Sequence, residues 1–554
     1  MDQRNLFLAI VLSIVVFLIW NFFISPQPPP QKQIQEDQTS RETATREQPY
    51  VKEKDPTVAD TAPLARKPAV QPTQAARDIR VETPLYSVKI SAKGAVFKSY
   101  VLKNYREKID ADSPNKEMVS ADTANGTIQL SFDGKNSPDL TEAIYSIDTL
   151  SDSVQVSDQP LELPFAWVSD QGIVIEKKFI FSPETYLIGL RVTIKNGTSA
   201  VFSDQLALTL TKVFSDKGAA IGFRGPSTLI GDHLEQIKLK KIEDKNVYGG
   251  NLKWIAVQDR YFLSSIIPQK AVDAQLRLFL KNENSLEAQY LQPESVVQPG
   301  TQQTFEYQLY LGPKSTKTLS RYDNDLGKLI EFGWFTFLAK PCLWFMNFLH
   351  DNFIPNYGVA IIILTLLTKI LLWPLGSKSY KSMSEMKKIQ PLIKELREKH
   401  KNDRKKMNEA TMALYRTYKI NPLGGCLPMV VQIPVFFGLY RMLYGAIELR
   451  HAPFVLWIND LSAPDRLFRF DFTIPLMEPP YGIPVLTLVM GASMLLQQKM
   501  SPPMGDPTQA KMMMLMPVVF TFIFINFSSG LVLYWLINNL VSICQQYYIT
   551  KKHA

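Results

Sequence analysis

Cysteine and histidine are scarce in this sequence. The three cysteines, Cys342, Cys426 and Cys544, lie far apart and form no CxxC pair, and the five histidines are equally scattered. A disulfide framework needs an even set of cysteines at regular spacing, and a zinc site needs clustered cysteine or histidine ligands. The sequence therefore predicts no disulfide framework, no metal site and no cofactor.

Acidic residues are absent from the apolar segments in the C-terminal part of the chain. The run YGVAIIILTLLTKILLWP, residues 357–374, contains one lysine, Lys369, and the nearest acidic candidate, Glu448, lies just past the end of another segment. A cation near mid-membrane costs roughly 2.5 to 3.5 kcal/mol on insertion scales, so such residues usually face a bundle interior or a hydrated cavity. Lys369 is therefore a candidate functional residue.

Two interpretations of Lys369 stay open at this point. A buried charge without a partner requires water, which implies a hydrated pocket within the membrane. Alternatively, the side chain snorkels towards the headgroups, because Lys378 follows about nine residues later, roughly 13 Å along a helix, and a long side chain bridges part of that distance.

Length and charge distribution indicate a membrane protein that carries a large soluble domain. The 554 residues exceed what one core usually contains, and apolar residues are concentrated at the N-terminus and in the C-terminal part. The net charge of +9 arises largely between residues 377 and 421, which contain 13 Lys or Arg and 5 Asp or Glu. By the positive-inside rule this loop is cytoplasmic, so it does not require a specific nucleic-acid sequence as partner. The soluble domain then lies in the periplasm, and both termini are cytoplasmic.

The N-terminal apolar run, residues 6–24, is long enough to span a bilayer. A cleavable signal peptide is the competing interpretation, but Trp20, Asn21, Phe22 and Phe23 stand where a cleavage site needs small residues. We expect an uncleaved anchor. The Pro-, Gln- and Thr-rich stretch that follows cannot bury a core and predicts a disordered tether.

Short runs of alternating apolar and polar residues between residues 80 and 313 predict a β-sandwich. Asp216, Asp232 and His233 are available for chemistry there, but loop carboxylates are usually solvated. Binding of a chain or partner along the sheets is an alternative role. The best alternating runs are YSVKI (86–90), TIQLSF (127–132), IVIEKKFIF (173–181), LIGLRVTIKNG (187–197), LALTLTKVF (206–214), AQLRLFL (274–280) and TFEYQLYLG (304–312).

The aromatic segment 325–349 contains charges and Pro341, which argue against a full span. It predicts an amphipathic helix in the membrane interface, with an ordinary buried helix as the alternative. The residues expected on its lipid side are Trp334, Phe335, Phe337, Leu338 and Trp344.

The basic loop has apolar positions at helical spacing on both sides of a polar turn at residues 400–404, which predicts an antiparallel helical hairpin. Asn421 and Pro422 then occur in the order of an N-cap and a first helical residue. Gly424, Gly425 and nearby prolines indicate an irregular helix that lines a cavity or packs closely, and Gly530 marks a tight turn before the last span.

The predicted fold class is a polytopic α-helical membrane protein with six transmembrane helices, the last five forming a core, and a large periplasmic β-sandwich. The predicted boundaries are 1–25 for the anchor, 26–78 for the linker, 79–320 for the β-sandwich, 325–349 for the interfacial helix, 355–376 for the second span, 377–421 for the cytoplasmic hairpin, 422–446 for the third span, 447–482 for a periplasmic loop, 483–499 for the fourth span, 500–511 for a cytoplasmic loop, 512–528 for the fifth span, 530–549 for the sixth span and 550–554 for the tail.

Six strings occur in order in the C-terminal part: NPLGGC (421–426), QIPVF (432–436), ELRHAPFVLWINDLSAPD (448–465), QKMSP (498–502), DPTQAKMMMLMPVVF (506–520) and SSGLVLYW (528–535). Together they resemble the YidC branch of the membrane protein insertase family. The resemblance extends over the whole chain and implies that the β-sandwich is a supersandwich. It also implies an insertase and chaperone of the bacterial inner membrane that is not an enzyme.

The resemblance implies a hydrophilic groove open to the cytoplasm and lipid but closed to the periplasm. An arginine of the family corresponds to Lys369, and lysine keeps the charge but lacks the planar fork of donors. Thr365, Gln432, Tyr534 and Trp535 are implied to line the groove or the path of the client helix. The implied partners are nascent membrane proteins and membrane lipids, with the Sec translocon, the ribosome and the signal recognition particle as further candidates.

Two rival functions would use the same residues. A lysine-activated serine would need Lys369 beside Ser493, Ser528 or Ser529, but nothing in the sequence supplies an oxyanion hole. A solute transporter or channel would use a charged residue in a bundle of broken helices, but no repeat of paired broken spans is visible.

Overall fold

The computed structural model describes residues 77–553, except 121–122, 124, 135–136, 150, 215–222, 283, 401–402, 419–426 and 502–506. The described residues belong to one compact unit, Ala76–Ala554. The predicted anchor and the tether up to residue 76 lie outside the described residues.

Alternation of apolar and polar residues builds the N-terminal part of this unit, the β-domain (residues 78–313). In the strand Ile173–Phe181 every second residue is buried, and the residues between them are partly exposed. Each of the seven alternating runs coincides with a strand to within two residues, so the prediction is confirmed there. The strands of the β-domain are β1 Asp78–Glu82, β2 Tyr86–Ser91, β3 Val96–Arg106, β4 Asn115–Glu117, β5 Gln129–Phe132, β6 Ser146–Ile147, β7 Ser153–Gln155, β8 Leu161–Val168, β9 Ile173–Phe181, β10 Leu187–Asn196, β11 Phe202–Asp204, β12 Leu206–Val213, β13 Gly225–Ile230, β14 His233–Gln236, β15 Val247–Gln258, β16 Phe262–Pro268, β17 Asp273–Asn282, β18 Ser285–Leu291, β19 Ser295–Val297 and β20 Gln302–Pro313.

Two large sheets form the β-domain. A five-stranded sheet has the order β4, β3, β2, β1, β7, in which β1 and β7 are parallel. A 13-stranded sheet runs β5, β12, β18, β17, β15, β16, β20, β10, β9, β8, β6, with β13 and β14 added at β15. Buried rings join the sheets: Phe97 of β3 and Phe179 of β9 lie 5.1 Å apart. The domain is therefore sandwich-like, as predicted.

The predicted interfacial helix begins later than expected. Its first part forms short 3-10 helices, Leu326–Leu329 and Gly333–Phe335, which follow α1 (Thr316–Leu319), and the α-helix α2 is Thr336–Asn352. Left-handed backbone at Asp325 (φ +59°) and Gly333 (φ +67°) interrupts a continuous helix there.

The aromatic residues of this segment divide between two environments. Trp334 is 91% exposed, and Phe337 and Trp344 are also exposed, as expected for a lipid-facing side. Phe335 and Leu338 are half-buried. The ring of Phe335 stacks on Phe437 at 5.9 Å, because the first residues of this segment also pack against a later helix.

We call residues 357–553 the helical region, and its described residues form seven further α-helices: α3 Tyr357–Lys388, α4 Gln390–Lys399, α5 Arg404–Thr417, α6 Leu427–Gly445, α7 Val485–Met500, α8 Pro507–Phe524 and α9 Ser529–His553. Of the described helices, α3 is the one that is long and apolar enough to cross a membrane on length and composition. Residues Met512–Phe524 of α8 form a shorter apolar helix.

Contacts define the directions of the helices around α9. Where α3 and α7 contact α9, residue numbers increase in the same direction along both partners, so these three helices are parallel. Where α6 contacts α9, residue numbers increase along one helix as they decrease along the other, so these two helices are antiparallel. The defining pairs are Lys369 with Ser542 and Trp373 with Gln545, Ser493 with Asn539 and Ser501 with Gln546, and Gln432 with Asn538 and Phe436 with Trp535.

Three helices extend beyond their predicted limits. Helix α3 continues past residue 376 to Lys388, α8 begins at Pro507 within the predicted loop, and α9 continues through the predicted tail to His553. The continuation of α3 passes Pro374, since a single proline removes one backbone donor without ending a helix that neighbours support. The predicted hairpin is formed by α4 and α5, where buried Met386, Ile389 and Ile393 pack with Leu414 and Tyr415.

Arginine side chains connect the β-domain to the helical region. The Arg260 Nε donates to the carbonyl oxygen of Tyr444 at 2.8 Å, and its guanidinium lies 3.5 Å from the centroid of the Tyr444 ring. Arg469, in the loop between α6 and α7, pairs with Asp110 of the β-domain at 3.1 Å. This loop also contains the short strands β21 (Leu467–Phe470) and β22 (Tyr481–Ile483).

Candidate functional site

A polar face runs from the middle of α9 towards its C-terminal end. Its members recur at helical spacing, so they lie on one side of an otherwise largely apolar helix. Four of them are buried, and buried polar groups require hydrogen-bond partners. We call this set the α9 polar face: Asn538, Asn539, Ser542, Gln545 and Gln546.

Lys369 is bound to this face. Its Nζ donates to Ser542 Oγ at 2.7 Å, and Ser542 Oγ donates to the carbonyl oxygen of Asn538 at 2.7 Å. Gln432 Nε2 of α6 donates to Asn538 Oδ1 at 2.6 Å. Hydrogen bonds to Ser542 and Asn538 therefore tie both α3 and α6 to α9 inside the helical region.

The ammonium of Lys369 is buried without a counter-ion. The residue is 9% exposed, and among the described residues no carboxylate lies within ion-pair distance of it. The neighbours Ile370 and Leu371 are exposed, so α3 presents an apolar surface outwards and the lysine inwards. An ammonium has three donors, and Ser542 accepts one of them.

The rest of the polar face ties neighbouring helices to α9. Gln545 Nε2 donates to the carbonyl oxygen of Trp373 at 3.1 Å and to Ser377 Oγ at 3.3 Å. A Cβ at Gly376 would lie 3.0 Å from Gln545 Nε2, so glycine permits this close approach. Asn539 Nδ2 of α9 donates in turn to Ser493 Oγ of α7 at 3.2 Å.

The other predicted groove residues lie apart from the hydrogen bonds to Ser542 and Asn538. Thr365 is buried one turn before Lys369, and its hydroxyl donates to the carbonyl oxygen of Ile361 at 2.6 Å within the same helix. Tyr534 is buried in the first half of α9, and Trp535 packs against Phe436 with ring centroids 4.6 Å apart. The structure thus links Lys369 and Gln432 to the same helix, α9, and nearer the start of α9 it places Trp535 in an aromatic cluster with Phe436, Phe520 and Phe524.

The start of α9 is covered by the loop that follows α6. The backbone N–H of Gly530 donates to the carbonyl oxygen of Leu461 at 2.9 Å, and Ser529 Oγ donates to the carbonyl oxygen of Asp460 at 2.7 Å. The polar half of α9 is therefore separated from this loop by the aromatic cluster. Asn421, Pro422, Gly424 and Gly425 lie outside the described residues.

Serine chemistry at this site finds no support in the geometry. Ser493 Oγ donates to the carbonyl oxygen of Met490, and Ser529 Oγ donates to that of Asp460. Ser528 pairs with Pro464 just before α9 begins, well ahead of Ser542, which is the serine that contacts Lys369. Ser542 does contact Lys369, but its hydroxyl proton is donated to Asn538 within the helix. Within the described ranges, no group of three or more His, Cys, Asp or Glu side chains is placed to hold a metal ion.

Sequence reasoning missed Ser542, Asn538, Asn539, Gln545 and Gln546. Their signal is present as NNLVSICQQ, with polar residues at positions 538, 542 and 545 of one helical face. The pattern is not decisive in the sequence, because serine and asparagine side chains in a helix also form hydrogen bonds with backbone groups of the same helix.

Comparison with known proteins gives matches over nearly the whole chain. Residues 348–554 match the family model described as 60Kd inner membrane protein, and residues 78–345 match the YidC periplasmic domain. A membrane protein insertase YidC from Syntrophus aciditrophicus (strain SB) is 41% identical over 562 residues, covering 100% of both chains. One from Syntrophobacter fumaroxidans is 40% identical over 572 residues, again covering 100% of both. A crystal structure of an active YidC insertase is 19% identical with a TM-score of 0.37, covering 86% of this chain and 93% of that one.

Proposed function

Because the chain belongs to the YidC family of membrane protein insertases, we propose that it inserts membrane proteins into the bacterial inner membrane through a groove built around Lys369 and the α9 polar face. The observation that best supports the groove is the buried ammonium of Lys369. It donates to Ser542, and no carboxylate among the described residues forms an ion pair with it. A cation in such a position is retained against its cost when it serves a charged ligand.

The mechanism is physical and not covalent. The acidic or polar outer segment of a client enters the polar half of the bundle, where the ammonium offers its remaining donors. Asn538 and Gln432 offer further hydrogen-bonding groups there, which lowers the cost of bringing polar groups part-way into the membrane. The exposed apolar side chains of α3, such as Ile370 and Leu371, contact lipid or the client's hydrophobic helix, whose partition into lipid drives release.

The proposal includes six transmembrane spans with both termini in the cytoplasm. The parallel directions of α3, α7 and α9 and the opposite direction of α6 support it, because alternate spans must cross the membrane in the same sense. The excess of Lys and Arg between residues 377 and 421 supports a cytoplasmic hairpin. On this topology the polar half of α9 faces the cytoplasm and the aromatic cluster faces the periplasm.

The proposed partners follow from this arrangement. Nascent membrane proteins are the clients, and a chaperone role for their folding accompanies insertion. The basic hairpin of α4 and α5 is placed to contact the ribosome, the signal recognition particle or acidic headgroups. Cooperation with the Sec translocon extends the client range.

The test is insertion into liposomes that contain the purified protein. A single-span client with an acidic outer tail is added, and its protease-protected fraction is measured for the unmodified protein, Lys369→Arg, Lys369→Ala and empty vesicles. We expect the unmodified protein and Lys369→Arg to insert and Lys369→Ala to fail. Insertion by Lys369→Ala at the unmodified level would show that the charge is dispensable, and unmodified protein no better than empty vesicles would refute autonomous insertion.

The alternative function, a solute transporter or channel, is tested in the same vesicles. Flux of a small solute that depends on the protein and on Lys369, without client insertion, would favour it over the insertase.

A further inference from the structure

A short hairpin between α6 and α7 exposes large apolar side chains. We call residues 466–483, which contain β21 and β22, the outer hairpin. Phe468 is 68% exposed, Phe472 63% and Leu476 79%. The rings of Phe470 and Phe472 stack at 5.2 Å, so two of the apolar side chains of this hairpin form a continuous patch. An exposed apolar patch of this kind usually marks a surface that contacts another protein or a membrane.

The backbone of the outer hairpin is shaped to present these side chains. Phe468 and Leu476 have left-handed backbone, with φ of +52° and +65°, which is unfavourable for bulky residues. Phe468 lies at the register shift between Leu467 and Arg469, where the strand bulges. Opposite the bulge, a Cβ at Gly482 would lie 2.4 Å from the carbonyl oxygen of Phe468, so glycine is required. Strain that the surroundings hold in place indicates a functional position.

Hydrogen bonds fix the outer hairpin beside the end of α8, and the chain leads directly from the hairpin into α7. Arg466 Nη1 donates to the carbonyl oxygen of Ile525, just after α8 ends, at 2.8 Å. Asn526 Nδ2 donates to the carbonyl oxygen of Leu476 at 3.0 Å. Helix α7 begins at Val485, two residues after β22 ends. The apolar patch is therefore fixed beside the ends of helices that the proposed topology places across the membrane.

The charges of the outer hairpin do not favour a charged partner. Residues 466–483 contain two arginines, Arg466 and Arg469, and two carboxylates, Asp471 and Glu478. Both arginines are engaged within the protein, Arg466 with Ile525 and Arg469 with Asp110. What remains exposed is an apolar and aromatic patch bordered by the carboxylates of Asp471 and Glu478. This composition matches the interfacial region of a bilayer, where aromatic side chains are enriched beside polar headgroups.

We propose that the outer hairpin inserts Phe468, Phe472 and Leu476 into the outer leaflet, so that lipid covers this patch. The inference rests on the proposed topology, because it needs the loop after α6 to lie at the periplasmic surface. Through Arg469 and Asp110 the lipid-bound hairpin also contacts the β-domain. It thereby gives the outer ends of α7 and α8 and the β-domain a common attachment to the membrane.

The test is spin-label depth measurement on the full chain in lipid nanodiscs of neutral phosphatidylcholine. The three native cysteines are replaced by alanine, and labels are placed singly in Phe468→Cys and Phe472→Cys. Phe472 has no left-handed backbone, so its variant reports on the hairpin even where the change at Phe468 disturbs the bulge. Two valines of similar exposure serve as matched controls: Val296→Cys on β19 and Val489→Cys on α7.

Collisions with oxygen, which concentrates in lipid, are compared with collisions with a water-soluble nickel chelate. We expect the ratio of oxygen to nickel collisions at both hairpin positions to exceed that at Val296 severalfold and to approach that at Val489. A nickel-accessible hairpin with an oxygen-accessible Val489 overturns the inference and leaves the proposed function standing. Nickel access at Val489 as well overturns the proposed topology and the inference with it. Labels hidden from both reagents show a protein occupant and also overturn the inference.

Discussion

Replacement of Lys369 by methionine should separate the function of the ammonium from any structural role. Methionine has a similar length and no charge, so Lys369→Met keeps the volume of the side chain in the bundle. Ser542 loses one partner, but its hydroxyl keeps the bond to the carbonyl oxygen of Asn538 at 2.7 Å. The substitution therefore leaves no buried hydroxyl without a partner.

The expected change in stability on Lys369→Met is the difference between two opposing contributions. A cation within the membrane costs roughly 2.5 to 3.5 kcal/mol, and a hydrogen bond to a charged group returns roughly 1.5 to 3 kcal/mol. Methionine should therefore change the stability of the helical region by between about 0.5 kcal/mol of loss and about 2 kcal/mol of gain. Insertion of a client with an acidic tail should fall to the level of empty vesicles. A stabilised protein that has lost activity is the expected signature of a functional charge.

The assay is unfolding of the full chain by increasing mole fractions of SDS, measured beside client insertion. A Ser542→Ala variant and the double variant complete a cycle, in which the coupling between residues 369 and 542 should vanish once the ammonium is removed. Unfolding of Lys369→Met at a clearly lower SDS fraction would refute the reasoning, because it would make Lys369 a structural residue.

Three further predictions concern the β-domain and the packing of α9. Arg260→Ala should speed amide exchange at the end of α6 near Tyr444, since it removes a hydrogen bond and a cation–π contact worth roughly 0.5 to 2 kcal/mol. Burial lowers the pKa of Lys177 to about 7 from an ordinary 10.5, so between pH 7 and 10 the unfolded chain binds more protons than the folded chain. Stability should therefore rise with pH in that window, by at most about 1.4 kcal/mol per unit, and Lys177→Met should flatten the rise in exchange-derived opening free energies of β9. Gly376→Val should displace Gln545 and lower the SDS fraction at half-unfolding by an amount that corresponds to roughly 1 to 3 kcal/mol.

Each of these has a result that would contradict it. Unchanged exchange near Tyr444 in Arg260→Ala would mean that other contacts hold the β-domain in place. The same pH slope with methionine at position 177 would assign the slope to other groups. A Gly376→Val variant as stable as the unmodified protein would show that Gln545 moves aside without cost, and Gly376→Ala provides the smaller matched change.

The strands could be predicted because the pattern that defines them is local. Alternation placed Lys177 at an inward position of IVIEKKFIF, and the residue is fully buried. Its partners could not be predicted, because the carbonyl oxygens of Gly94 and Ala95 that accept from its Nζ, at 2.9 and 2.7 Å, come from a loop some 80 residues earlier in the chain. Periodicity gives the face of a strand and not the chain that covers it.

The candidate site was predictable to the same extent. An isolated lysine in an apolar run identified Lys369, because charge in such a run is costly wherever the chain folds. Its acceptor, Ser542, lies 173 residues later, and only the packing of α3 against α9 brings the two together. Helix ends were less predictable: α3 passes Pro374 because adjacent helices support its backbone, and no local signal reports that support.

The most direct test of the central claim is charge reversal at Lys369. Insertion into liposomes is measured for the Lys369→Glu variant with two clients that differ only in their outer tails, one acidic and one with the acidic residues replaced by neutral amides. The account predicts that Lys369→Glu loses the acidic-tailed client and retains most insertion of the neutral one. Equal insertion of both clients by the variant and the unmodified protein would contradict it, because the charge of the groove would then have no part in accepting the client.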